Sequence, residues 1–244
     1  MNSQNETLKI LYDNEKTNRK LRSGWGFSAF IQWGDRQILF DAGADINILK
    51  HNMEKMDVDP ETVEELVLSH PHCDHTGGVS AVLTDDSRCI IHIPQGFPRA
   101  TLETFESYDS SQVQIHKQME VLSEGIWTTG SLTSNYRNRN MAEQSLVLRT
   151  ADGPVLVTGC AHPGIEKIVN KVADQFQEQV HLALGGFHLE NCSREEILVL
   201  IDNLKNRVRR ICPTHCSGKQ AVTMFEKHYG ADFIRGGVGR ELNL

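Results

Sequence analysis

Short apolar runs separated by polar turns fill the first part of this chain. Residues 7–12, 26–33 and 37–41 each predict a strand, with Gly34-Asp35 as the hairpin turn between the last two. Residues 46–56 predict a helix, and Asp59-Pro60-Glu61 opens a further helical turn. Residues 63–69 are apolar and end in Leu-Val-Leu, which reads as a buried strand. Two more strands are expected at 89–94 and 113–116, and the polar stretch between them carries no assigned form.

The second half repeats the rhythm. Strands are expected at 145–149, 154–158 and 180–184, with helices between and after them, then a further strand and a final helix. Pro163 suits a first helical turn, and Ile165, Ile168, Val169, Val172 and Phe176 form one apolar stripe. Ser193 with Glu196 predicts a capping box, followed by Ile197, Ile201, Leu204 and Val208 on one face. A third helix is expected to carry Ala221, Val222, Phe225 and Tyr229. Strand-rich halves with helices outside imply two sheets packed under helices, an α/β fold in four αβ/βα layers. No linker, low-complexity tract or short repeat divides the chain, so residues 1–244 are expected to be one domain.

Composition narrows the function. The 39% hydrophobic content supports a sizeable core, and 25 basic against 32 acidic residues give a net charge of −7. That balance argues against a general nucleic-acid binder, although not against a small, phosphorylated substrate. No apolar run reaches the length of a membrane span, and the polar start MNSQNETLK is unlike a signal peptide. A cytoplasmic protein acting on a small molecule, with no membrane or nucleic-acid partner, is the expectation. The six cysteines are Cys73, Cys89, Cys160, Cys192, Cys212 and Cys216, and reduced thiols are expected of them. Cys212 and Cys216 lie on either side of His215, but no second close pair completes a cysteine-rich zinc site.

The densest chemistry lies between Ser69 and Gly78, which reads SHPHCDHTGG. His70, His72, Asp74 and His75 offer imidazole nitrogen and carboxylate oxygen, donors that Zn2+ and neighbouring first-row metals accept. The cluster follows an apolar strand, and strand ends are where open α/β sheets place their sites. In an extended segment alternate side chains share a side, so His70 and His72 can converge on one ion. The turn at His75 lets Asp74 and His75 face another.

This motif and its surroundings resemble the metallo-β-lactamase-fold hydrolase superfamily. QILFDAG before it, VLVTGCAH from Val155 to His162 and ICPTHC from Ile211 to Cys216 follow in the expected order. GFSAFI, SHPHCDHTGG, EQSLVL, TGCAHPGI, GGFHL and PTHCSG together are similar to a narrower branch. Its members are the 7,8-dihydropterin-6-ylmethyl-4-(β-D-ribofuranosyl)aminobenzene-5′-phosphate synthase-like proteins. The resemblance implies the metallo-β-lactamase sandwich and a dinuclear centre, with Zn2+ as the expected metal and Mn2+ or Fe2+ as alternatives. It divides the motif donors between two ions as above and matches His215 to the second.

The chain departs from the superfamily pattern in two places. Where many members carry a third histidine for the first ion, residues 139–144 carry none, although Glu143 stands there. Where many place a bridging Asp after Thr-Gly, this chain has Cys160. His162 is expected to complete the first site, with Cys160 either a ligand or a packed thiol. Asp41 is expected to accept the outer N–H of a ligating histidine. His188, after Gly185-Gly186, is the candidate for substrate contact or proton transfer, and Asp74 can also accept a proton. His51, His92, His116, His181 and His228 are expected to be structural or exposed. The polar stretch 131–144 is a candidate lid.

Such a centre makes metal-bound hydroxide near neutral pH and polarises a carbonyl or phosphoryl oxygen. The leading expectation is therefore a dinuclear metallohydrolase of an ester, lactone or phosphoester. The alternative implied by the branch is a transferase that joins a pterin methylene to an arylamine with loss of diphosphate. A diiron redox protein is a third reading. Its resemblance fails at His72, where those branches carry an acidic residue.

Overall fold

The structure, a computed structural model, describes residues 6–84, 88–108, 112–136 and 138–244. It divides into two compact units, residues 1–116 with 237–244 and residues 117–236.

The first unit is built from β1 (Thr7–Tyr12), β2 (Ser28–Trp33), β3 (Arg36–Phe40), α1 (Ile46–Lys55), β4 (Glu65–Val67), α2 (Cys73–Thr76), β5 (Ile90–Pro94), α3 (Arg99–Glu106) and β6 (Gln112–His116). Its sheet has two regimes. β1 to β3 form an antiparallel meander, and β3 to β6 then run parallel, as helices and turns carry the chain back each time. Asp45 caps α1 by accepting from the backbone N–H of Asn47 and Ile48. Leu49 and Met53 of that helix are buried in a core with Leu11, Leu39, Leu66 and Ile91.

The second unit holds β7 (Glu120–Ser123), β8 (Ile126–Thr128), β9 (Leu132–Tyr136), β10 (Arg139–Glu143), β11 (Leu146–Thr150), β12 (Gly153–Thr158), α4 (Ile165–Phe176), β13 (Val180–Gly186), α5 (Arg194–Lys205), β14 (Val208–Thr214) and α6 (Lys219–Tyr229). Its sheet runs β14-β13-β12-β11-β8-β7, antiparallel from β7 to β12 and parallel across β12, β13 and β14. Ile165, Ile168, Val169 and Val172 of α4 are buried as the stripe predicts. Burying each such side chain is worth about 1.5–3 kcal/mol. The Ser193–Glu196 capping box forms. Val208 departs from the expected helical face, because α5 stops at Lys205 and Val208 begins β14. Val222 is only half-buried on α6, whereas Met224 joins Ala221 and Phe225 in the core. A last strand, β15 (Glu241–Asn243), returns to the first unit and pairs antiparallel with β1.

Stretch 131–144 is better ordered than its polarity suggests. β9 and β10 pair antiparallel, Leu132 opposite Glu143 and Tyr136 opposite Arg139. Arg137, within the expected lid, lies outside the described residues. The unassigned stretch after β5 contains α3, whose one buried residue, Phe105, gives too little periodicity to announce a helix. No described helix is long and apolar enough to cross a membrane.

Candidate metal centre

Each unit gathers donors at the C-terminal ends of its parallel strands. In the first unit Asp41 follows β3 and Ser69-His70 follow β4, whose registers pair Phe40 with Val67. The motif then turns into α2, and its Gly77-Gly78 exit runs against the backbone of Ala42 to Ala44. A Cβ at Gly77 would run into the Ala44 carbonyl oxygen, and one at Gly78 into that of Ala42.

Asp41 organises this end. It is fully buried, and its Oδ1 accepts the Ser69 backbone N–H at 2.7 Å. Its Oδ2 lies 2.7 Å from Ser69 Oγ and 2.7 Å from His75 Nδ1. Burial is the largest influence on the carboxyl and raises its pKa, against the pull of His75 and the Ser69 donors. With a donor on each oxygen, the ionised form is the one the geometry fits. The Ser69 hydroxyl then donates to Asp41 and accepts from His70 Nδ1–H at 2.8 Å. His70 and His75 are thereby fixed in the tautomer that carries its proton on Nδ1.

Their Nε2 atoms face other donors. His70 Nε2 lies 3.0 Å from His72 Nδ1, and His75 Nε2 lies 3.7 Å from Asp74 Oδ2. The His70 and His75 rings are 4.2 Å apart, centre to centre. Asp41 sits at φ 55°, a left-handed conformation that is costly for a non-glycine residue and concentrates at functional sites.

The second unit uses a different carboxylate in the same way. Glu143, 1% exposed at the end of β10, accepts the backbone N–H groups of Cys160 at 2.9 Å and Ala161 at 2.7 Å through Oε1. Its Oε2 accepts the His162 N–H and His162 Nδ1–H, both at 2.8 Å. Burial opposes its ionisation, but the His162 and backbone donors outweigh it and hold the carboxyl below its usual range. Both oxygens are thus occupied. Glu143 shapes the loop and orients the His162 ring through Nδ1.

The strand register brings the remaining groups to one level. Thr158 pairs with Gly185, and Gly185 with Pro213, so β12, β13 and β14 release Cys160, His188 and His215 side by side. Cys160, His162 and His188 offer ligand atoms within 4.8 Å of one another, and so do Cys160, His215 and Cys216. The His162 and His188 rings are 4.6 Å apart, centre to centre. Ala161, His188 and His215 all sit at positive φ, 57°, 55° and 48°. The hydrogen bond with Cys216 raises the His188 pKa, more than burial lowers it. Burial opposes ionisation of Cys216, yet contacts with Cys160 and His188 and the nearby His215 hold the thiol well below its usual range.

The residue types and spacing fit divalent transition-metal ions in both units. The expected site residues fall in two groups: His70, His72, Asp74 and His75, backed by Asp41, and Cys160, His162, His188 and His215. Sequence reasoning missed Ser69 and the presence of Cys216. Glu143, a lone acid just before the apolar strand β11, is legible as a supporting carboxylate rather than a ligand, and its contact with His162 is of that kind. Of the other histidines, His92 pairs with His116 at 2.9 Å and lies 3.3 Å from Glu65, away from these groups in contact terms. His51 Nε2 lies 2.9 Å from the Lys20 carbonyl oxygen.

Comparison with known proteins agrees. The chain is 28% identical over 246 residues, covering 84% of itself and 83% of the relative, to 7,8-dihydropterin-6-methyl-4-(beta-D-ribofuranosyl)-aminobenzene-5'-phosphate synthase of Methanocaldococcus jannaschii. Its fold is shared with Tm1679, a metal-dependent hydrolase of the beta-lactamase superfamily, at TM-score 0.81 and 22% identity over 98% of this chain and 99% of that one. A diphosphatase of the PhnP family has the same fold at TM-score 0.64 and 12% identity, covering 97% and 96% of the two chains. The family model described as the metallo-beta-lactamase superfamily matches residues 26–215, a span that contains both donor groups. The chain belongs to the metallo-β-lactamase superfamily and has its α/β sandwich fold.

Proposed function

We propose a two-metal reading of these donors. The protein is a metal-dependent hydrolase acting on a small ester, lactone or phosphoester through its metal site. The proposed ligands are His70, His72, Asp74 and His75 in the first unit and His162 and His215 in the second, with Cys160 as a further donor. Zn2+ is the proposed metal, ahead of Mn2+ or Fe2+. Residues 1–244 are read as one domain.

The observation that carries the reading is the facing pair His70 Nε2 and His72 Nδ1 at 3.0 Å, with His70, His75 and His162 each tied back through Nδ1. Imidazoles held in that way are prepared for a cation. The residues holding a divalent ion there would let it acidify a bound water and polarise the oxygen of the scissile group. The chain's own residues then do the remaining work. Asp41 and Glu143 keep the ligand rings in one tautomer, Asp74 receives the proton of the attacking water, and His188 hands a proton to the leaving group.

A second reading is favoured by the relative of M. jannaschii, whose name specifies a pterin-aminobenzene phosphate synthase. On the same site, the aryl amine would displace diphosphate from a pterin methylene. Metal analysis of protein never exposed to chelator, followed by a substrate panel, tests both. Close to two equivalents of transition metal with turnover of lactones, thioesters or phosphodiesters supports hydrolysis. Turnover only of a pterin diphosphate with an arylamine phosphate selects the transferase. Protein without metal overturns both.

A further inference from the structure

We propose that Cys216 is a second thiolate ligand beside Cys160 and His215, so that the ion at the ends of β12 and β14 is held through two sulfurs. This rests on the reading of His215 as a ligand.

Three observations carry it. Cys216 is buried, 4% exposed, and its sulfur lies among donors, 3.6 Å from the Cys160 carbonyl oxygen and within 4.8 Å of the ligand atoms of Cys160 and His215. The backbone makes room for that sulfur. A Cβ at Gly186 would run into the Gly159 carbonyl oxygen and stand 2.7 Å from Cys216 Sγ, so the residue on β13 beside Cys216 has to lack a side chain. His215, immediately before it, is held at φ 48°, a conformation that fixes where the ring and the adjoining sulfur point.

The other thiols differ. Cys89 and Cys212 are as deeply buried, yet neither belongs to a group of metal donors among the described residues. Burial pushes the Cys89 thiol up to about 12, as an inert packed cysteine requires. His188 also hydrogen-bonds Cys216. On metal binding each thiol gives its proton to solvent and its sulfur lone pair to the ion, with no change of oxidation state. Two thiolates would favour Zn2+ over Mn2+ at this position, since soft donors select softer ions.

Cobalt substitution of metal-depleted protein tests this without an activity assay. Wild-type protein should show sulfur-to-cobalt charge-transfer absorption in the near ultraviolet. Cys160→Ser and Cys216→Ser should each lose about half of it, and Cys89→Ser none. X-ray absorption at the metal edge of unaltered wild-type protein guards against variants that fail to fold. It should detect sulfur neighbours at about 2.3 Å as well as nitrogen and oxygen at about 2.0–2.2 Å. Cobalt bound in normal amount without sulfur signal, or with a signal indifferent to Cys216→Ser, overturns the inference and leaves the two-metal reading standing. Failure to bind cobalt at all overturns the two-metal reading itself.

Discussion

The two units solve one problem with opposite arrangements. In the first, four donors lie within six residues and one buried carboxylate from the neighbouring strand, Asp41, orients two of their rings. In the second, donors come from three separate strand ends, and the carboxylate Glu143 spends three of its four hydrogen bonds on backbone. Asp41 therefore fixes side chains on a loop already shaped by its glycines, whereas Glu143 fixes the loop itself. A further difference is chemical. The first unit offers nitrogen and oxygen alone, and the second adds sulfur and a histidine, His188, beyond the proposed ligands.

The largest effect should come from that extra histidine. His188→Ala is expected to keep both metals and lower turnover about ten- to ten-thousand-fold, the range of a lost general acid or charge-stabilising group. Metal content and kcat measured on one preparation check it. Full activity would make His188 a partner of Cys216 only, and loss of metal would make it a ligand.

Next in size is Asp41→Ala. It leaves the Ser69 N–H, the Ser69 hydroxyl and His75 Nδ1–H without their buried acceptor. Unpaired buried groups of this kind cost about 3–5 kcal/mol together, read as a lower urea midpoint. An unchanged midpoint would mean that the motif loop is shaped by Gly77-Gly78 without help from Asp41.

Much of this architecture is legible in the amino-acid sequence, and the reason lies in distance along the chain. The motif from Ser69 to Gly78 needs no tertiary information, because its donors are neighbours in sequence. Asp41 can be anticipated because it ends an apolar strand. β1 is readable to the residue, as is the cap of α5, and the stripe of α4 is readable except that Phe176 is only half-buried. Cys216 is invisible as a donor for the opposite reason. The near thiol in sequence is Cys212, but Cys212 lies inside β14 while the sulfur beside Cys216 comes from Cys160, 56 residues away. Only the parallel register of β12, β13 and β14 brings them together. The hairpin of β9 and β10 is hidden because its strands are polar, and α3 because it buries so little.

Glu143→Gln tests whether the second carboxylate acts as proposed, with a smaller expected effect. The amide keeps an oxygen for the backbone donors but places an NH2 where His162 Nδ1–H or a neighbouring N–H needs an acceptor. Metal affinity should fall about 10–100-fold, measured by competition with a chelator, while the fold persists in circular dichroism. A fall in stability as large as that of Asp41→Ala would erase the distinction between orienting a ring and shaping a loop.

The smallest effect calibrates the others. Glu65 of β4 is a third buried carboxylate joining neighbouring strands, with Arg36 of β3 at 2.6 Å and His92 of β5 at 3.3 Å, but it holds no proposed ligand. Burial opposes its ionisation, and His92 and Arg36 outweigh that and hold its carboxyl below the ordinary value of 4.5. A lowered folded-state pKa adds stability that is complete above about pH 4.5 and disappears as pH falls through the folded value. Glu65→Gln should therefore cost about 1 kcal/mol at neutral pH, since Arg36 is half exposed and its attraction is screened. The gap between variant and wild type should narrow in urea titrations carried progressively below about pH 4.5. Metal content should not change. If Glu65→Gln lowered metal affinity as much as Glu143→Gln, the losses at Asp41 and Glu143 would report general loosening of the sheets, and the carboxylates would have no particular claim on the ligand rings.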